Sequence, residues 1–356
     1  MTLPSDVNAP SDETLQAEGV YHLAEALGFM KVAFLPEAPR LVFPSEELTT
    51  WLTQGYHASM HWMTHHQDKR VAPAKLVAED ETLDNRFTVE SILVVTMNYA
   101  QDLKRSDTTS PKIARYARGR DYHRVIKKKL QTLLKQLQGA YPNLQGRAFT
   151  DSAPMLERAM AVHAGLGWQG KHCNVISPQH GSYFFIGSLF LSLPVSPQPQ
   201  PIVGLSATNT LPDFCGTCRR CIDACPTEAL FESPRQLDAN RCIAYWTIEA
   251  THTQAIPSDI ASRAEGWIFG CDICQEVCPW NIKFAVPTQE ADFLTPKHPW
   301  QQYPEGTMLA QFSETSFKEA MAGTPLMRAG LERLQHTWRH VIGDERPTTA
   351  HLSSKE

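Results

Sequence analysis

The stretch Cys215-Gly-Thr-Cys218-Arg-Arg-Cys221-Ile-Asp-Ala-Cys225-Pro226 sets four thiols at the spacing C-x2-C-x2-C-x3-C-P. That is the bacterial ferredoxin pattern, in which the first three thiolates hold one 4Fe-4S cluster and the fourth reaches across to a second. The partner run is Cys271-Asp-Ile-Cys274-Gln-Glu-Val-Cys278-Pro279, which keeps the last three positions of the pattern and lacks the first. Cys242 fills that vacancy, being the only other cysteine in this half of the chain. The crossover rule then gives cluster one Cys215, Cys218, Cys221 and Cys278, and cluster two Cys225, Cys242, Cys271 and Cys274. One-electron transfer is the chemistry such a pair performs.

Zinc sites usually separate their cysteine pairs by a longer loop. An odd total of nine cysteines, with no basic and apolar leader in front, argues against a disulfide framework. Cys173 is left over and reads as a small core residue.

Several elements must position this chemistry. Thr14–Leu27 has helical apolar spacing and stops at Gly28. Phe29–Phe34, Ser91–Met97 and the apolar Tyr183–Leu193 read as strands, the last two as buried ones. Asp121–Gly139 is amphipathic through Ile126, Leu130, Leu133, Leu134 and Leu137. Four prolines between Pro194 and Pro201 mark a stiff connector and a boundary. Helical stretches recur in Phe312–Leu334, and the tail from Gly343 is polar. The division that follows is a disordered lead at 1–12, a catalytic domain at 13–200, a two-cluster module at 201–290, a helical region at 291–340 and a tail at 341–356. The fold class is α+β.

A length of 356 residues allows two or three domains, and a net charge of -5 does not by itself point to nucleic acid. The apolar stretches are too short to span a bilayer, which places the chain in the cytoplasm. Locally, Lys112–Lys129 carries eight Lys or Arg against a single Asp, with Tyr116 and Tyr122 between them. It is a candidate footprint for a phosphate backbone through Arg118, Arg120, Lys127, Lys128 and Lys129, or else a solvated helix face. No Gly-x-Gly-x-x-Gly fingerprint opens a helix after a strand, so a nicotinamide or flavin Rossmann site has no support. The loops DSAPMLER at 151–158 and GLGWQGK at 165–171 are dense in glycine, charge and aromatic residues, as site loops often are.

Taken together, RYARGRDYH at 115–123, DSAPMLERA at 151–159, GLGWQGKH at 165–172, YFFIGSLFLSLP at 183–194, RCIAYWTIE at 241–249, GCDICQEVCPWN at 270–281 and the first cysteine run resemble the epoxyqueuosine reductase family. The match is collinear from about residue 15 to 340. The resemblance implies an oxidoreductase that completes queuosine at the wobble position of transfer RNA. It implies cobalamin between an N-terminal α/β domain, nitroreductase-like in topology, and the ferredoxin-like module. No Asp-x-His-x-x-Gly motif is present, so cobalamin comes from the resemblance alone. By motif, Asp151 looks like the family's proton donor, and Arg70, Lys171, Tyr245, Gln275 and Glu276 fall where the corrin or its tail is touched. The partners implied are the anticodon loop and an external low-potential electron donor, and the chain reads as a monomer. Longer relatives continue into HEAT-like repeats, which shifts weight here onto the basic segment.

To act as an acid near neutral pH, Asp151 has to be protonated, so burial against the corrin is expected to raise it above about 3.9. Two other readings stand beside this one: an electron-transfer subunit without a substrate site, and a corrinoid enzyme of the reductive dehalogenase kind.

Overall fold

The computed structural model describes residues 14–78, 87–101, 111–197, 213–251, 254–294, 309 and 312–342. The expected lead at 1–12 and the tail from 343 lie outside the described residues. The chain opens with β1 (Leu15–Gln16), α1 (Ala17–Ala26), β2 (Lys31–Phe34) and three short helices, α2 (Glu46–Thr53), α3 (Gln67–Val71) and α4 (Lys75–Ala78). Then come β3 (Ser91–Asn98), β4 (Lys112–Ile113), α5 (Tyr122–Ala140), β5 (Gly146–Phe149), α6 (Glu157–His163), β6 (Trp168–Gln169), β7 (Val175–Ile176), β8 (Phe184–Leu191) and β9 (Val195–Ser196). The cysteine half holds α7 (Arg220–Asp223), α8 (Ser258–Ser262), β10 (Trp267–Phe269), α9 (Ile273–Glu276), α10 (Pro279–Phe284) and α11 (Ala291–Leu294). Two helices, Glu314–Met321 and Leu326–Val341, close it.

A four-stranded sheet of order β2-β3-β8-β5 is antiparallel at every pairing. Its central strands are buried on both faces, which is why they read as unbroken apolar runs and not as alternation. Leu93, Val95 and Met97 of β3 and Phe185, Leu189 and Leu191 of β8 face a core shared with α1 and α5. Ile92, Val94, Phe184 and Phe190 face a second core with α4 and α6.

Helix α5 meets its expected range closely. The Asp121 carboxylate caps it by accepting the His123 N–H at 3.1 Å, a contact worth about 1 kcal/mol. Ile126, Leu130, Leu133 and Leu137 are fully or nearly fully buried, each contributing about 1.5–3 kcal/mol. Gly187 lets the helix approach β8, since a Cβ there would stand 2.7 Å from Ile126 Cγ2.

The first helix begins at Ala17, not Thr14, because Leu15–Gln16 pairs in parallel with Val195–Ser196. The start of the proline-rich stretch is therefore a strand as well as a connector. The two halves interlock: β4 pairs with β10, and Ile113 and Ala117 share a core with Phe269, Phe317 and Leu334. Among the described residues no helix is long and apolar enough to cross a membrane.

Candidate functional site

Both cysteine runs fold the same way. Cys221 lies in α7 and Cys274 in α9, each a single helical turn followed by a Cys-Pro step, and Cys278 precedes α10 with Pro279 at its first position. Cys215, Cys218, Cys221 and Cys278 line one cavity of about 150 Å³ together with Lys171, His172, Phe214 and Trp280. The Cys271 thiol is under the electrostatic influence of Cys242 and Cys225, and that of Cys274 feels all three. Cys278 of the second run thus joins three cysteines of the first around one cavity, while Cys225, Cys242 and Cys271 lie near Cys274, which also feels Cys221.

Among the described residues, no three His, Cys, Asp or Glu side chains converge closely enough for a single ion. Thiols ranged around a cavity are a donor set for a polynuclear group, and 4Fe-4S clusters fit it. Burial pushes Cys221 up to about 12 and Cys242 up to about 11, so without iron these two thiols are protonated at neutral pH. Iron binding would release those protons. Backbone N–H groups already point at the sulfurs, such as Ala229 to Cys225 Sγ at 3.3 Å. Cys173 is buried among Cys221, Leu230, Cys225 and Cys274, with a thiol that burial pushes up.

Asp151 follows β5 in a left-handed backbone conformation, φ 48°. Its carboxylate accepts a very short hydrogen bond from the Tyr122 hydroxyl and lies 3.5 Å from His123 Nε2. Tyr122 is held flat between Phe185 and the His123 ring, with centroids at 4.1 and 4.0 Å. The Asp151 N–H donates to Glu157 Oε1 at 2.7 Å, and about half of the Asp151 side chain (52%) remains exposed.

Burial acts to raise the Asp151 carboxyl, but the hydrogen bonds from His123 and Tyr122 outweigh it and hold the group below the usual carboxylate range. The expected upward shift is corrected on this point. The proton resides on the neighbours instead. Burial and the Asp151 charge push Glu157 up to about 8. Burial acts to lower His123, yet its hydrogen bonds to Asp121 and Asp151 carry it up to about 9.

The five expected corrin contacts all make hydrogen bonds within the protein. Arg70 donates to the carbonyls of His65 and Trp62 at 3.1 and 2.9 Å. Tyr245 shares a 2.5 Å hydrogen bond with Ser59 Oγ. Lys171 Nζ donates to Gly216 O at 2.7 Å and Glu232 Oε1 at 2.9 Å, which places it on the cysteine cavity. Gln275 Oε1 accepts from Ser182 Oγ at 2.9 Å, and Glu276 Oε1 accepts from buried Arg115 at 2.7 Å. Each has at least one polar atom engaged within the protein, and its remaining atoms are compatible with contact to a corrin.

The basic run is dispersed by folding. Lys112 and Arg115 are buried, and Arg118 Nε donates to Ile113 O at 2.9 Å. Arg120 pairs with Asp292 at 3.2 Å and Lys129 with Glu290 at 2.8 Å. Lys127 and Lys128 are exposed on α5.

Sequence reasoning misses the partners of Asp151. Tyr122 and His123 lie inside the RYARGRDYH motif, but nothing in the spacing ties them to residue 151. It also misses the buried ion pairs of Arg115 with Asp272 at 3.1 Å and with Glu276, which join the two halves.

Comparison with known proteins falls on the same segments. Residues 214–281 match the model of a 4Fe-4S double cluster binding domain, and residues 86–152 match that described as epoxyqueuosine reductase QueG, DUF1730. Epoxyqueuosine reductase of Cyclobacterium marinum is 39% identical over 301 residues, 83% of this chain and 89% of that one. That of Pseudomonas aeruginosa is 40% identical over 329 residues, 92% and 85% of the two chains. A crystal structure of epoxyqueuosine reductase with an epoxyqueuosine-modified tRNA-Tyr stem loop superposes with a TM-score of 0.75 at 26% identity, covering 91% of this chain and 80% of the other. The extent and the identity of these matches, over both the cysteine sets and the Asp151 loop, show that the chain belongs to the epoxyqueuosine reductase family.

Proposed function

We propose that this chain reduces epoxyqueuosine to queuosine at the wobble position of transfer RNA. The observation that carries the reading is the cavity lined by Cys215, Cys218, Cys221 and Cys278, drawn from both cysteine runs, in a chain that shares 39% identity with an epoxyqueuosine reductase over 83% of its length. In this reading Cys215, Cys218, Cys221 and Cys278 hold one cluster, and Cys225, Cys242, Cys271 and Cys274 hold the other. Residues 13–200 are the catalytic part, nitroreductase-like in topology, 201–290 the cluster module and 291–340 a helical region. Cobalamin is the cofactor, and when bound it supplies the low-potential electron pair. A monomer in the cytoplasm, fed by an external donor, completes the proposal.

The net reaction takes the epoxide, two electrons and two protons to an alkene and water. Both carbon–oxygen bonds of the ring break, the carbon–carbon double bond forms, and the oxygen leaves with both protons. The chain's contribution is the proton at that oxygen. Asp151 is half exposed and ionised, with protons held beside it on His123 and Glu157. Asp151 therefore delivers a proton that it first draws from this group, through the hydrogen bonds of Tyr122 and His123. The substrate nucleoside has to leave its stack to reach the site, as base-modifying enzymes require. Arg118, Arg120, Lys127, Lys128 and Lys129 are the candidate phosphate contacts.

Anaerobic purification with cobalamin supplied, followed by iron, sulfide and corrin quantification and then turnover of epoxyqueuosine transfer RNA, tests the reading. Two four-iron clusters, one corrin and conversion to queuosine are expected. Clusters with neither corrin nor turnover would leave an electron carrier.

A further inference from the structure

The loop between β6 and β7 carries Lys171, His172 and Cys173 in succession, and the first two line the four-cysteine cavity. Their polar atoms are used differently. Lys171 Nζ donates to Gly216 O and Glu232 Oε1, clamping the loop between Cys215 and Cys218. His172 Nδ1 accepts the N–H of Asn174 at 3.2 Å, which leaves the ring proton on Nε2. That Nε2 is buried with no hydrogen-bond partner in the protein, in a residue only 3% exposed. Gly170 leaves room for the ring, since a Cβ at that position would stand 3.1 Å from His172 Cε1. A buried N–H left without an acceptor is costly, so such a group points to an acceptor that belongs there. Trp168 has a second unpartnered N–H nearby, but it packs against Cys278 and Cys215 from outside the residues lining the cavity.

We propose that His172 Nε2–H is a hydrogen-bond donor to the iron–sulfur cluster held by Cys215, Cys218, Cys221 and Cys278, and that it sets this cluster's reduction potential above that of a cluster lacking the bond. The inference rests on the ligand assignment given under the proposed function. Its physical basis is that reduction adds negative charge to the cluster, and a donor aimed at a sulfur stabilises the more negative state. His172 is a tuning residue, acting on the cluster and not on the nucleoside.

The test is a redox titration of the anaerobically loaded full chain, followed by electron paramagnetic resonance, with iron counted in every sample. His172→Phe is expected to keep wild-type iron and to disfavour reduction of one cluster about tenfold, which for a one-electron couple is about 59 mV, leaving the other in place. His172→Gln, which retains an N–H, should recover part of the shift. Unchanged potentials at full iron content would overturn the inference. If His172→Phe cannot be loaded, wild-type chain carrying 15N-histidine decides: a histidine nitrogen coupling to one reduced cluster, lost in His172→Gln, is expected, and its absence overturns the inference. A wild-type chain that holds no clusters at all would overturn the ligand assignment, and the inference with it.

Discussion

Asp151 and Glu157 are linked through the main chain of one and the side chain of the other: the Asp151 N–H donates to Glu157 Oε1 at 2.7 Å. The link fixes the left-handed turn at Asp151 and places a carboxyl that burial keeps neutral beside one that hydrogen bonds keep ionised. Two neighbouring acids with their affinities for protons pushed apart form an arrangement suited to proton transfer, Glu157 holding the proton and Asp151 the charge.

Asp151→Asn should leave both clusters bound and lower turnover by on the order of 10²–10⁴. Asparagine is the informative replacement because it tolerates the left-handed backbone, whereas alanine would add strain at φ 48°. Single-turnover conversion of epoxyqueuosine RNA, with iron content measured in parallel, checks it. Turnover within a few-fold of wild type would remove Asp151 from the chemistry.

His123 makes stability depend on pH in a definite direction. It faces Asp121, itself paired with Arg124, at the start of α5, Tyr122 in stacking contact, and Asp151 with Glu157 hydrogen-bonded to its main chain, while Arg328 of the last helix acts on Asp151. Its folded affinity for a proton is raised, to about 9 against an unfolded value of about 6.5. The stabilisation is therefore complete below about pH 6.5 and is lost as pH rises through about 9. The melting-temperature gap between wild type and His123→Gln should be widest near pH 6 and close by about pH 10. Parallel curves across that range would show that the imidazolium is not stabilised by its carboxylates.

The crossover arrangement has its own test. Cys225→Ser and Cys242→Ser should remove the same cluster, although Cys225 stands in the first run, and Cys278→Ser should remove the other, although Cys278 stands in the second. Iron content should fall to about half in each, and the surviving resonance signal should be common to Cys225→Ser and Cys242→Ser. Should Cys278→Ser instead remove the cluster that Cys271→Ser removes, the sets would be local to each run.

The cluster-binding module was legible because cysteine spacing is a local property: one helical turn and a Cys-Pro step shape each run. Helix α5 and the central strands were legible for the same reason, since apolar period and run length are written in consecutive residues. The surroundings of Asp151 were not, because Tyr122 and Glu157 reach it only through the packing of α5 and α6 on the sheet. The reversal of its expected shift followed from that omission. The partners of Glu276 and Gln275 were not legible either, because a motif does not record that Arg115 and Ser182, far away in sequence, will engage them.

The basic segment divides into two classes that a charge count treats alike. Arg120 and Lys129 are paired with Asp292 and Glu290 beside α11, so Arg120→Glu or Lys129→Glu should lower the melting temperature by placing like charges together. Lys127 and Lys128 are exposed on α5, so Lys127→Glu with Lys128→Glu should leave the fold intact and weaken binding of the transfer RNA. If both touch phosphates, the slope of log affinity against log salt should flatten by about 0.7–0.9 for each phosphate no longer neutralised. Binding measured over a series of salt concentrations, beside thermal melts of the same variants, separates the two classes. A salt slope equal to that of wild type in the double variant would make this face a solvated helix surface and move the RNA interface elsewhere.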